Sequence, residues 1–151
     1  MGNAHDVAAY VLSKTGPLSA MKLQKLCYYS QAWSLVWDEQ PLFQDRIEAW
    51  ANGPVVRSLY AQHRGLYTVH EWPSGSWMAL TSDERATVDA VIASYSKLTA
   101  QQLSDLTHSE QPWLKARAGT PLSERSEAEI TQQSMRDFYG SLASRSDAED
   151  V

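Results

Sequence analysis

The segment MKLQKLCYYSQAWSLVW, Met21 to Trp37, constrains this chain more than any other. Placed on a helix, Leu23, Leu26, Cys27, Ser30, Trp33 and Trp37 share one face. Tyr29, Ala32 and Val36 continue a second face, and Tyr28 and Leu35 lie on a third. A helix apolar on most of its sides must be surrounded by other elements. It is therefore predicted to be the central helix, capped by Ser19 and ending near Asp38, where DEQP turns the chain. Its first turn alone, with Lys22, Gln24 and Lys25, reads as wet. That turn is either an ordinary solvated face or a surface kept for a partner.

Helical patterning continues on both sides. Asn3 is a suitable cap for a helix over Ala4 to Lys14, with Val7, Ala8, Val11 and Leu12 inward and TGP as the stop. Arg46 to Trp50 alternates as a short extended segment, and Asn52, Gly53 and Pro54 form a turn expected to launch a helix with Pro54 at its first position. Val55, Val56, Leu59, Tyr60 and His63 would share one face of that helix, and Gly65 would end it. LYTVHEWPSGSWMAL reads as a β-like hairpin turning at Pro73, Ser74 and Gly75. Thr81 with Glu84, Thr99 with Gln102, and Ser126 with Glu129 each read as a capping box opening a helix, and another short helix follows Pro112. The expected fold is mainly α: a compact single domain of about six or seven helices around a central apolar helix, with a small β-hairpin element. Residues 1–143 form the domain and 144–151 a flexible acidic tail.

With 43% hydrophobic and 21% charged residues, the chain has the composition of a globular protein. No apolar run approaches the ~20 residues that span a bilayer, and the N-terminus lacks the features of a secretory signal, so a cytoplasmic protein is expected. The formal charge of −5 argues against a nucleic-acid partner and suits a protein partner instead. A single cysteine, Cys27, excludes an internal disulfide and a multi-cysteine zinc site.

Candidate chemistry is sparse. Cys27 sits two turns into an apolar helix, where core packing is the natural role and a lowered thiol pKa is not expected. His108 and Glu110, two apart, do not face each other on one helix, and no second His stands at i+4, so a helix junction is the reading preferred over an acid–base pair. His63 and His70 bracket the expected hairpin without an identifiable carboxylate. No phosphate loop, nucleophile elbow or HExxH occurs. No catalytic residue, cofactor or metal is assigned. What remains is surface: Trp72 and Trp77 on the expected hairpin either pack back on the body or serve as interface anchors.

Three stretches taken together resemble successive blocks of the Panacea domain: MKLQKLCYYSQAWSL, PLFQDRIEAWANGPVV and LSDLTHSEQPW. This is the antitoxin family that includes SocA-like proteins and is often phage-associated. The resemblance runs from about Leu18 to Phe138 in the family's order. It departs at Asn52, where the family more often has His, and at Cys27, where it more often has an aliphatic residue. The resemblance implies a helical, non-enzymatic domain encoded beside a toxin gene and neutralising that cognate toxin by direct binding. The alternative it implies is a proteolytic adaptor that delivers the toxin to a protease. The expected partner contacts are Lys22, Gln24, Lys25, Trp72 and Trp77.

Overall fold

The computed structural model describes residues 3–121 and 124–149, with backbone alone for 146–149. Helix α1 (Ala4–Thr15) opens on a capping box in which Asn3 and Asp6 satisfy each other's backbone N–H. Strand β1 (Leu18–Ser19) leads into α2 (Ala20–Trp37), capped by the Ser19 hydroxyl on the Lys22 N–H. Every residue of α2 from Leu23 to Leu35 is buried. Helices α1, α4 (Ser82–Tyr95), α5 (Ala100–His108) and α7 (Gln132–Glu149) all pack against it. The mainly α prediction with a central apolar helix therefore holds. Cys27 is wholly buried, and burial pushes its thiol well above the usual range, as filler in a core should behave.

The capping boxes at Thr81/Glu84 and Thr99/Gln102 both form, because each needs only residues three apart. The box expected at Ser126/Glu129 does not. Residues 128–130 instead run along strand β2 (Ile47–Trp50), with the Ala49 N–H donating to Ala128 O (2.8 Å) and the Ile130 N–H to Ile47 O (2.9 Å). The last helix therefore starts only at Gln132, and its backbone continues to Glu149, past the position expected to begin the tail. Residues 150–151 lie outside the described residues.

Two further expectations are corrected. Gly53 and Pro54 do not launch a helix; Gly53–Val56 is strand β3, antiparallel to β2 with Trp50 opposite Gly53, and α3 (Arg57–His63) begins three residues after Pro54. Pairing with β2 holds this strand from one side and α2 from the other, outweighing the local preference for Pro at a helix start. The segment from Leu66 to Leu80 is not a hairpin either. Its strand, β4 (Thr68–Val69), pairs with β1, and Trp77–Ala79 forms a single 3-10 turn. Helix α6 (Gln111–Ala116) follows α5, with Pro112 in its first turn as expected.

Candidate functional site

The turn at residues 72–76 is clamped onto the start of α1. Trp72 Nε1 donates to His5 Nδ1 (3.0 Å), and the Ser76 N–H donates to Asp6 Oδ1 (2.8 Å). Gly75 is required by close approach: a Cβ there would stand 2.0 Å from His5 O. Gly75→Ala should therefore cost roughly 1–3 kcal/mol of stability in urea denaturation, the usual range for forced overpacking, and hydrogen exchange should show Ser76 losing protection.

Beyond this clamp the chain presents Trp77, 46% exposed, and Met78, 72% exposed. Trp77 borders a surface hollow of about 290 Å³ shared with Tyr10, Ser13, Lys14 and Arg85. The Arg85 guanidinium stands 5.9 Å from the Trp77 ring while donating to Leu80 O (2.8 Å), and Lys14 Nζ stands 5.4 Å from the Tyr10 ring. Burial, then the hydrogen bond to Asp89, raise the Tyr10 phenol to about 12, so it stays a neutral donor. An exposed aromatic, a flexible thioether and two cations around one hollow can take an apolar group flanked by acidic ones.

The five residues expected as partner contacts do not form one surface. Trp77 is exposed. Trp72 is 7% exposed, its ring turned to His5. Lys22 is half-buried and donates from Nζ to Ser96 O, the cap of α4. Gln24 and Lys25 are 3% and 2% exposed, so the first turn of α2 is not wet as expected. The reason is β3. Gln24 Oε1 accepts from the Val56 N–H (2.8 Å) and its Nε2 donates to Val56 O (3.2 Å), so the side-chain amide pairs with the strand as another strand would. Two helical turns further on, Gln31 does the same for Leu42 and Phe43.

The apparent pair His108 and Glu110 divides between two structural tasks. The His108 ring meets Ala51 O (2.9 Å) and lies edge-on to Trp113. Glu110, 6% exposed, accepts from the hydroxyls of Tyr29 (2.7 Å) on α2 and Tyr139 (2.9 Å) on α7, and Tyr139 in turn meets Tyr28 (3.1 Å). Burial raises the Glu110 carboxyl pKa, against the two hydroxyl donors that lower it. The expected local junction is thus a long-range one, tying three helices together. No sequence signal distinguishes this carboxylate from a surface glutamate, because its donors come from 81 and 29 residues away.

His63 is committed to Gln24, and His70 is exposed. Among the described residues, no group of three or more His, Cys, Asp and Glu is placed to hold a metal ion, and no helix is long and apolar enough to cross a membrane. No curated protein and no solved structure matches the chain. A family model described as "Antitoxin SocA-like, Panacea domain" matches residues 23–114, from the buried stretch of α2 through β2, β3, α3, α4 and α5 into α6. That span exceeds half of the chain, and it takes in the three blocks whose resemblance was noted from sequence almost entirely. The chain belongs to the SocA-like Panacea-domain antitoxin family.

Proposed function

We propose that this protein is an antitoxin that neutralises a cognate toxin by direct protein–protein binding, with Trp77 and Met78 at the centre of the contact. Family membership supports the antitoxin role. The observation that carries the contact is the exposed Trp77–Met78 pair beside a cationic hollow, on a turn already clamped to α1. A preformed aromatic anchor loses little entropy on binding, which is why such residues dominate interface energetics. Of the other expected contacts, Lys22, Gln24, Lys25 and Trp72 serve the fold first, and a partner reaches them only at their edges.

The test is co-expression with the toxin encoded next to this chain. The wild type should lift growth arrest, and the double variant Trp77→Ala, Met78→Ala should fail while keeping the wild-type melting temperature. Loss of an anchor of this kind costs about 2 kcal/mol or more, a roughly 30-fold weakening. Full neutralisation by the double variant would place the contact elsewhere. A toxin half-life that shortens when the wild type is present would favour delivery to a protease over masking.

A further inference from the structure

Lys25 is the single charged residue in the buried stretch of α2. It is 2% exposed, and no hydrogen bond or ion pair to its Nζ is found among the described residues. Burial lowers its pKa to about 8. An ammonium held largely out of water without a protein partner, with only the open cavity beside it, is costly, and replacing it with an apolar side chain of similar length would remove the cost. The fold nevertheless makes room for it. Gly53 holds φ at +123°, and a Cβ there would lie 2.6 Å from Lys25 Cε and 3.0 Å from Nζ, so the tip of the β2–β3 hairpin passes directly over the ammonium.

The ammonium borders an open cavity of about 300 Å³, walled by Met21, Trp50, Tyr60 and His63, with the exposed Arg125 at its edge. Among the described residues, no carboxylate lines this cavity. The Gln24 amide group donates to both Val56 O and His63 Nε2 (2.9 Å), so His63 accepts there and is neutral, in keeping with a pKa lowered by burial. The Trp50 and Tyr60 rings meet edge to face with centroids 4.7 Å apart. The site thus offers one buried cation, a second in solvent that is already paired to Glu127 (3.1 Å), and a largely apolar aromatic wall. A multiply charged anion such as phosphate would find too few donors here, whereas one carboxylate on a flat apolar body matches the inventory.

We propose that this cavity binds a small organic carboxylate, with its carboxylate on Lys25 Nζ and its flat apolar body against Trp50 and Tyr60. This site is separate from the Trp77 surface and stands whether or not that surface binds a toxin.

The probes are 2-naphthoate and its neutral amide, 2-naphthamide, titrated into the full chain and followed by the backbone amide NMR signals of Ala51, Asn52 and His63. 2-Naphthoate should bind with Kd of about 1 mM or tighter, reasonable for a ligand of this size, and at least about tenfold tighter than 2-naphthamide. Lys25→Met should erase that preference while leaving the amide's affinity within about threefold. Equal binding of acid and amide by the wild type would overturn the proposal, as would shifts confined to other residues or a preference that survives in Lys25→Met. The acid–amide comparison on the wild type decides the matter even if the variant folds poorly.

Discussion

Lys25→Met should melt higher than the wild type at pH 7, and the gap should close as the pH rises. The ammonium is disfavoured in the folded state, where its pKa is about 8, relative to its ordinary 10.5. Below pH 8 both folded and unfolded chains carry the proton, and the folded state bears the full burial penalty. Between about 8 and 10.5 the unfolded chain binds more protons than the folded one, so wild-type stability rises with pH across that window. The difference corresponds to roughly 3 kcal/mol. For a chain of this size that is about 6–12 °C in melting temperature. Calorimetry at pH 7 and pH 10 checks both the sign and the window. A methionine variant that melts lower than the wild type at pH 7 would mean that the ammonium is stabilised in the fold. A residue kept at such expense to stability is expected where function needs it, consistent with the carboxylate site above.

Glu110→Ala should lower stability by roughly 2–4 kcal/mol, from one orphaned buried hydroxyl and a cavity. Tyr139 keeps Tyr28 as a partner after truncation, but Tyr29 loses the one acceptor its hydroxyl has among the described residues. An opposing effect partly offsets this. The carboxylate is itself desolvated and its pKa raised, so above its ordinary 4.5 the folded state holds the proton more tightly and stability falls as pH rises. Glu110→Gln separates the two effects. It keeps an oxygen for both tyrosines and removes the charge, and it should remain within about 1 kcal/mol of wild type at pH 7 while losing that pH slope. Urea denaturation of both variants at pH 5 and pH 7 measures this. Equal destabilisation by alanine and glutamine would show that the charge, not the acceptor, holds the three helices together.

Which parts of this fold were legible in the sequence follows from the distance over which each interaction acts. The cap at Asn3 and the capping boxes at Thr81 and Thr99 involve residues three apart, and all form as read. The burial of Leu23, Leu26, Cys27, Tyr28 and Tyr29 follows from an apolar character that no single helix face can hold. Ser126 and Glu129 show the same local pattern as the successful boxes, yet there the edge of β2, some 80 residues earlier, competes for the backbone. A strand edge offers hydrogen bonds that a capping box cannot match, and the helix start moves to Gln132.

The candidate sites divide in the same way. Trp77 was visible as an aromatic beside Pro and Gly residues, and it is exposed. Gln24 and Lys25 read as surface residues because polar side chains usually are, and Glu110 read as part of a local helix junction. The sequence by itself determined the helical class and the central helix, since these rest on periodicity and near-neighbour hydrogen bonds, and it carried the family blocks as a resemblance of residues. Tertiary structure alone decided that Gln24 pairs with Val56, that Glu110 joins α2 to α7, and that Lys25 faces a cavity under Gly53. Whether a polar group can be buried depends on what meets it there, and for these three groups the partner, or the space left for one, comes from distant chain.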